Sequence, residues 1–204
     1  MPTDTEKRHD QMKAIRDELL AFKESPLYDY RTKNNYFPVV GEGSHTAKIV
    51  FIGEAPGENE AKTARPFCGA SGRILDELLN SIEVDREDVY ITNIVKDRPP
   101  ANRDPTSEEI ELYAPFLDRQ LAIIKPTVIA TLGRFSMAYI INRLGLGDQL
   151  TSISAMHGKS FTANPEWGSV HIIPLYHPAV ALYKASMKTS LLEDFKVIKA
   201  VIES

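Results

Sequence analysis

The 204-residue sequence is poor in cysteine, and Cys68 is the single one it contains. One thiol cannot form an intramolecular disulfide, an all-cysteine zinc site or a four-cysteine iron–sulfur cluster. The sequence also lacks the G-x-G-x-x-G fingerprint of dinucleotide-binding folds and the G-x-x-x-x-G-K-[ST] loop of nucleotide hydrolases. We therefore predict no metal site and no P-loop chemistry.

Long apolar runs are missing as well. None approaches the roughly 20 residues that a membrane-spanning helix needs, and the first 18 residues are polar where a signal peptide has an apolar core. With 43 % hydrophobic and 25 % charged residues, the composition is typical of a folded globular protein. We expect one domain over residues 1–204 in a cytoplasmic, monomeric protein without membrane contact.

The sequence also has no excess of basic residues. The 24 Lys and Arg residues against 28 Asp and Glu residues give a net charge of −4, which excludes a protein that coats nucleic acid through bulk positive charge. A local basic patch stays open, because binding responds to charges within a Debye length of about 8 Å.

Four short apolar runs predict strands that are buried on both faces: 48–53, 89–96, 127–133 and 171–177. Apolar residues at helical spacing predict helices between and around these strands: 11–23, 70–82, 107–124, 134–144 and 190–202. Thr106 and Glu109 form a capping-box pattern at the start of the third helix in this series. The alternation predicts an α/β fold, a three-layer α/β/α sandwich with a central four-stranded parallel sheet and an N-terminal helix within 1–25 packed on the core.

Ligands of such sheets bind beyond the carboxyl ends of the strands, where this sequence places three polar residues. Glu54 lies in the tight turn GEAPG at 53–57, either facing a water beside exposed N–H groups or simply solvated. Asn93 interrupts an apolar strand, and its amide either matches the polar edge of a uracil-like ring or is satisfied by the backbone in the core. His177 is placed either to stabilise a leaving oxyanion or to cap a helix.

An aromatic residue and a group of basic residues complete the candidate site. Phe67 precedes a predicted helix, where its ring either stacks on a flat ligand or anchors the loop in the core. Lys96, Arg98 and Arg103 lie in the loop after the second strand, and Lys159 lies in a later loop. Together they predict the local cationic surface that a phosphate backbone needs, with ordinary solvated charges as the alternative.

Several motifs together resemble family 4 of the uracil-DNA glycosylase superfamily, in family order from about residue 41 to residue 194. They are GEAPG at 53–57, RPFCG at 65–69, TNIVK at 92–96, RPPANR at 98–103 and YHPA at 176–179. The resemblance implies an enzyme that flips uracil out of single- or double-stranded DNA and hydrolyses its N-glycosidic bond. The abasic site that is left would begin base excision repair, and no organic cofactor is implied.

Carried over residue by residue, the resemblance implies three groups of site residues. The catalytic group positions the water, stabilises charge on the sugar and on the departing base, and reads the polar edge of the base: Glu54, His177 and Asn93. The base-binding group stacks on the ring or holds it through side-chain and backbone groups: Phe67, Asn93, Ala55 and Gly57. The DNA-binding group contacts phosphates: Lys96, Arg98, Arg103 and Lys159.

The chain departs from family 4 at the positions of its iron–sulfur cluster. Members of the family typically hold this cluster with four cysteines, and the aligned positions here are Phe22, Ser25, Asp97 and Tyr113. We therefore predict that the cluster is absent and that Phe22 and Tyr113 substitute apolar packing for it. The loop 96–104 also lacks the histidine with which one branch of the superfamily traps the abasic sugar, so we expect no covalent capture.

Two alternative functions stay open. One is excision of a different or modified base, because the Asn93 amide can rotate and present the opposite pattern unless a neighbour fixes it. The other is a non-catalytic nucleic-acid-binding module, against which the intact pocket residues weigh. The role of Glu60 also stays open, because Ala61 follows it where family members often have an acidic residue.

Overall fold

The structure, a computed structural model, describes residues 2–204. Within this range six strands form one sheet: β1 (Glu42–Gly43), β2 (Ile49–Gly53), β3 (Tyr90–Asn93), β4 (Val128–Leu132), β5 (Phe161–Ala163) and β6 (Val170–Leu175). The same range contains nine α-helices: α1 (Asp4–Ala21), α2 (Tyr28–Lys33), α3 (Glu58–Thr63), α4 (Ala70–Ser81), α5 (Ser107–Ile124), α6 (Arg134–Arg143), α7 (Ile153–Met156), α8 (Val180–Tyr183) and α9 (Ala185–Ile202). None of these nine helices is long and apolar enough to cross a bilayer.

The strand order is β1-β3-β2-β4-β6-β5. β3, β2, β4 and β6 are parallel neighbours, which confirms the four predicted strands and their common direction. The expectation of a four-stranded sheet is corrected by two edge strands, since β1 pairs antiparallel with β3 and β5 pairs antiparallel with β6. These edge strands have two and three residues, too few to show the alternating pattern from which strands are predicted.

The side chains of the central strands alternate between two apolar layers. In β2, Val50 and Ile52 pack with residues of α1, α5 and α6, whereas Ile49 and Phe51 pack with residues of α4 and α9. Because successive side chains of a strand point to opposite faces, the two layers cover opposite sides of the sheet. The predicted three-layer arrangement is therefore confirmed.

Helix α1 begins earlier than the sequence pattern predicts. Thr3 caps it, and Glu6 completes a capping box, so the helix starts at Asp4 rather than near residue 11. Its first two turns bury no side chain, and the residues that pack against the core come later: Met12, Ile15 and Leu19. Capping thus supplies the start that hydrophobic periodicity could not reveal. The capping box predicted for α5, between Thr106 and Glu109, is present.

The parallel direction of the central strands brings their carboxyl ends to one edge of the sheet. β2 ends at Gly53, β3 at Asn93 and β6 at Leu175, just before the predicted site residues Glu54 and His177. The N–H groups of Ile94 and Val95 donate to the carbonyls of Gly53 and Glu54, at 3.1 and 3.0 Å. The two loops after β2 and β3 are therefore fixed to each other from their first residues.

Candidate active site

The carboxyl edge of the sheet borders a cavity of about 520 Å³. Its lining includes each residue that was predicted to act on or bind the base: Glu54, Ala55, Gly57, Phe67, Asn93 and His177. Other parts of the wall come from the loop after β3, including Arg103, and from Tyr183 of α8. Side chains and backbone from four separate segments thus surround one space of the size that a small ring-shaped ligand requires.

Glu54 is a half-buried carboxylate at the end of β2. Burial is the main reason that its pKa is raised to about 7; the negative charge of Asp104 raises it further, whereas the positive charge of Arg134 lowers it. No hydrogen bond from a described residue contributes to this balance. The carboxyl group therefore changes its protonation state near neutral pH, which suits a group that binds a water or balances charge in a reaction.

Asn93 is the last residue of β3, and its side chain is almost fully buried. A Cβ atom added at Gly53 would lie 2.3 Å from its Oδ1 atom and 2.8 Å from the ring of Phe67. A side chain at position 53 would therefore displace both residues, and glycine keeps the strand ends close together. The backbone carbonyl of Asn93 accepts a hydrogen bond from Lys96, while the described residues offer no hydrogen bond to its amide group.

The rings of Phe67 and His177 stack, with centroids 5.6 Å apart and an angle of 29° between their planes. Phe67 adopts a left-handed backbone conformation with φ of 48°, which is uncommon for a bulky residue. Its carbonyl lies so close to Gly72 that a Cβ atom there would be 1.7 Å away. The start of α4 thus holds the loop in the conformation that turns the Phe67 ring toward the cavity.

His177 is held as a neutral imidazole. Its Nδ1 atom accepts a hydrogen bond from the N–H of Ala179 at 3.2 Å, so the neutral ring carries its proton on Nε2. Burial lowers the pKa of His177 to about 4, because a charged ring would lose its hydration there. At neutral pH the ring therefore offers an uncharged N–H donor to the cavity.

Lys96 is the predicted DNA-binding residue that the structure corrects. Its side chain is fully buried, and its ammonium donates to Thr92 Oγ1 at 2.6 Å, to the Asn93 carbonyl at 2.7 Å and to Gln120 Oε1 at 2.6 Å. Burial lowers its pKa well below the ordinary value. An amine enclosed in this way cannot reach a phosphate, so the predicted phosphate contact is wrong.

The other three predicted DNA-binding residues differ in exposure. Arg98 is 9 % exposed and donates to Tyr36 and Asn102, both at 2.8 Å, so most of its guanidinium is used inside the protein. Arg103 is partly exposed and forms two contacts with the carboxylate of Glu109, at 2.5 and 2.9 Å. Lys159 is exposed in the loop after α7. Arg103 and Lys159 can therefore meet a polyanion directly, and Arg98 shapes the loop.

Three lining or neighbouring residues were missed by the sequence reasoning. Asp104 and Arg134 form an exposed pair at 2.7 Å, and both shift the pKa of Glu54. Arg134 is the first residue of α6, and one residue separates it from the end of β4, so the rule that ligands bind beyond strand ends already pointed to this position. Tyr183 is 88 % exposed at the rim of the cavity, and no pattern in its neighbourhood signalled this position.

The described residues contain no group of three or more His, Cys, Asp or Glu side chains that could hold a metal ion. The four positions aligned with the iron–sulfur ligands of family 4 do lie together. Tyr113 contacts Ser25 and Asp97 through its hydroxyl, and its ring meets that of Phe22 edge to face. These residues supply oxygen atoms and a phenyl ring but no sulfur, so they do not fit an iron–sulfur cluster, whose irons are held by thiolates.

Comparison with known proteins places these observations in a family. A sequence profile of the Uracil DNA glycosylase superfamily matches residues 40–197. The type-4 uracil-DNA glycosylase of Sulfurisphaera tokodaii is 44 % identical over 191 residues, which cover 93 % of this chain and 84 % of that protein. The type-4 uracil-DNA glycosylase of Archaeoglobus fulgidus is 48 % identical over 170 residues and 83 % of either chain. A type-5 uracil-DNA glycosylase of Pyrobaculum aerophilum is 30 % identical and covers 70 % of this chain and 66 % of its own.

Proposed function

The chain belongs to the uracil DNA glycosylase superfamily, and we propose that it excises uracil from DNA by hydrolysing the N-glycosidic bond. The product is an abasic site, the starting point of base excision repair. The observation that carries this proposal is the meeting of Glu54, Asn93, Phe67 and His177 around one cavity. Each of these side chains offers the cavity a different chemical property that the reaction requires.

Glu54 acts on the water and on the sugar. Cleavage of the glycosidic bond leaves positive charge on the sugar, which a nearby carboxylate stabilises, and the same carboxylate orients the attacking water. Because the pKa of Glu54 is about 7, the ionised form that performs both tasks becomes dominant above neutral pH. Burial strengthens the interaction with the sugar because fewer water molecules screen it.

Asn93 and Phe67 hold the extruded base. The amide of Asn93 has one acceptor and two donors, which pair with the N3–H and O4 edge of uracil. The ring of Phe67 provides an apolar face on which the base stacks, and the backbone at Ala55 and Gly57 closes the other side. These contacts return the few kcal/mol that unstacking a nucleotide costs, roughly as other base-flipping enzymes do.

His177 stabilises the leaving base. When the bond breaks, negative charge collects on the departing uracil, and a neutral imidazole N–H placed beside it donates a hydrogen bond. The low pKa of His177 keeps the ring neutral over the physiological range, so the enzyme needs no protonated histidine. The hydrogen bond from Ala179 to Nδ1 fixes the tautomer that presents Nε2–H.

The DNA backbone is held at the rim of the cavity. Arg103, which lines the cavity, and Lys159, in the loop after α7, supply exposed positive charge. The exposed ring of Tyr183 also lines the cavity, and we place it beside the extruded nucleotide. An apolar ring there fills the gap that base flipping leaves in the stack. We further propose that the protein acts as a monomer, in the cytoplasm, on single- or double-stranded DNA, and without an iron–sulfur cluster.

The test is base release from oligonucleotides that carry one uracil, single- and double-stranded, scored by alkaline cleavage at the abasic site. Glu54→Gln removes the carboxylate and is expected to slow release by about 100-fold or more, with DNA binding retained. Glu87→Gln, an exposed change near the opposite edge of the sheet, is the matched control and is expected to leave the rate unchanged. Equal rates for wild type and Glu54→Gln would overturn the assigned chemistry.

A second outcome of the same experiment decides between bases. The described residues do not fix the orientation of the Asn93 amide, so oligonucleotides with cytosine and with other deaminated bases are included in parallel. Release of uracil far faster than the others supports the proposal. Release of another base alone would replace uracil as the substrate, and DNA binding with no release of any base would leave a binding module.

A further inference from the structure

A second cluster of buried polar side chains is centred on Asp97, in the loop after β3. Asp97 is fully buried, and its carboxylate accepts a hydrogen bond from the hydroxyl of Tyr113 at 2.5 Å. The same carboxylate accepts from Nη1 of Arg31 at 3.0 and 3.2 Å. The Tyr113 hydroxyl also lies 2.7 Å from Oγ of Ser25. We call these four residues, Ser25, Arg31, Asp97 and Tyr113, the buried network.

The buried network joins three parts of the chain that are distant in sequence. Arg31 belongs to α2, and its guanidinium also donates to the carbonyls of Leu19 and Leu20 at 3.0 and 2.9 Å, in the last turn of α1. Carbonyls in the last turn of a helix lack the usual amide donor four residues on, and that of Leu19 also accepts from the N–H of Phe22 at 3.3 Å. Tyr113 belongs to α5. Asp97 is therefore the point at which α1, α2 and α5 all attach to the loop after β3.

That loop forms part of the cavity wall. Arg98 follows Asp97 and donates a hydrogen bond of 2.8 Å to Asn102. Four residues of the loop line the cavity: Pro99, Asn102, Arg103 and Asp104. Asp104 in turn raises the pKa of Glu54. Asp97 therefore adjoins the loop segment that supplies this wall, its charges and the exposed Arg103.

Three of the four positions that family 4 typically uses for its cluster are members of this network, and the fourth, Phe22, covers it. The ring of Phe22 meets Tyr113 at 5.6 Å and Phe116 at 5.1 Å between centroids, both edge to face. The sequence suggested that Phe22 and Tyr113 substitute apolar packing for the cluster. The structure shows their edge-to-face contact and adds polar contacts that the sequence did not reveal, the hydrogen bond from the Tyr113 hydroxyl to Asp97 and the buried Arg31–Asp97 ion pair.

We infer that the buried network is a metal-independent tie that positions the 97–104 loop for DNA, in the place where relatives of family 4 use a cluster. This inference rests on the proposed function for its kinetic part only. Its members are positioning residues, because they act through the loop and do not contact the cavity. The cost of desolvating two buried charges offsets their attraction, so this ion pair is weak evidence for added stability, and we assign it to positioning.

Tyr113→Phe and Asp97→Asn test the tie. Tyr113→Phe removes one hydroxyl at nearly constant volume, so the protein is expected to fold, with a KM for uracil-containing DNA raised about fivefold and a kcat changed less than twofold. Arg119→Gln is the matched control, because it breaks an exposed ion pair with Glu18 that joins the same helices α1 and α5. A fall in kcat alone, or an equal rise of KM in the control, would overturn the inference.

Hydrogen exchange gives a readout that does not depend on catalysis. The backbone amides of Arg98 and of residues 101–104 are expected to exchange faster in Tyr113→Phe than in wild type, with no change in Arg119→Gln; Pro99 and Pro100 have no amide hydrogen. If wild type released no uracil, the proposed function would fail while this measurement still tested the tie. Unchanged exchange in Tyr113→Phe would overturn the tie, and so would one iron–sulfur cluster per chain in purified wild type.

A double variant separates positioning from stability. Asp97→Asn alone leaves Arg31 buried without a charged partner, and a lower Tm is expected. Arg31→Met combined with Asp97→Leu removes both charges, so Tm is expected to recover while KM stays high. Recovery of KM together with Tm would show a merely structural role and overturn the inference.

Discussion

Two polar regions border the loop after β3, the cavity and the buried network, and they differ in how far their side chains are hydrogen-bonded to protein partners. In the cavity, Glu54 and the Asn93 amide lack protein partners among the described residues. In the buried network and around Lys96, donors and acceptors are paired, and within residues 2–204 the single buried side-chain oxygen or nitrogen without a partner is Thr131 Oγ1. Asn93 and Lys96 are three residues apart, yet Asn93 lines the cavity and Lys96 is enclosed by protein partners.

The contrast teaches how to distinguish substrate-binding groups from structural ones. The carboxylate of Glu54 and the amide of Asn93 face a cavity that water or a ligand can enter, so their lack of protein partners leaves them free to bind a ligand. A paired buried group costs stability only when its partner is removed. Substitutions of cavity residues should therefore lower the rate of base release and leave the stability of the fold nearly unchanged. Substitutions in the buried network or at Lys96 should lower stability first.

Asn93→Ala is the sharpest test of the first half of this contrast. We expect base release to fall by about 100-fold or more, because the hydrogen bonds to the base are lost at the point where charge develops. Tm should stay close to that of wild type, since the amide has no protein partner to abandon. Single-turnover rates and thermal melts measure both effects. A large drop in Tm would show that Asn93 is a structural residue and break the comparison.

Lys96→Met tests the second half. The change leaves three close acceptors, on Thr92, Asn93 and Gln120, without their donor. We expect the free energy of unfolding to fall by about 3 kcal/mol, measured by urea denaturation. Lys159→Met, at an exposed position, is the control and should stay within about 0.5 kcal/mol of wild type. Equal stability of the two variants would contradict the structural role of Lys96.

The pH dependence of base release sharpens the comparison further. The proposed role of Glu54 requires its ionised form, and its pKa is about 7, so the rate should rise with pH through neutrality. His177 has a pKa of about 4, so it stays neutral over this range and adds no second inflection to the pH–rate profile. Asp104→Asn removes a negative charge that disfavours ionisation, so it should move the rise to lower pH, and Arg134→Gln should move it to higher pH. Shifts in the same direction would contradict this electrostatic origin.

Arg103→Gln should give the smallest effect. Its guanidinium is shared between Glu109 and the solvent, so we expect DNA binding to weaken about threefold and the salt slope of binding to fall by about 1. Fluorescence anisotropy at several salt concentrations measures both quantities. Arg143→Gln, which breaks an exposed pair with Asp118, is the control. A salt slope that stays unchanged in Arg103→Gln would remove this residue from the DNA surface.

The sequence predicted those features that depend on local patterns. An all-apolar run such as 49–53 predicts a central strand that is buried on both faces. A glutamate or asparagine at the end of such a run predicts a ligand site at the carboxyl edge of the sheet. The resemblance then named the same residues that the cavity brings together. The parallel direction of the central strands and the base-binding residues of the cavity could therefore be predicted from the sequence.

The features that were missed depend on partners that are distant in sequence. Lys96 looked like a phosphate contact because Arg98 and Arg103 are near it, but its burial is decided by Gln120, which belongs to α5. Likewise, nothing near Asp97 indicated that Arg31 would meet it across 66 residues. Long-range pairing of this kind is a property of the packed fold, and a single sequence does not display it.

The lone thiol also has a practical use. Cys68 is exposed and adjoins Phe67, at the edge of the cavity where the extruded base is proposed to stack. A maleimide dye would therefore attach at one defined point of the wild-type chain, without any cysteine having to be removed first. A change in the emission of the dye would report when a nucleotide leaves the DNA duplex and enters the cavity. The rate of base flipping could then be measured separately from the rate of bond cleavage.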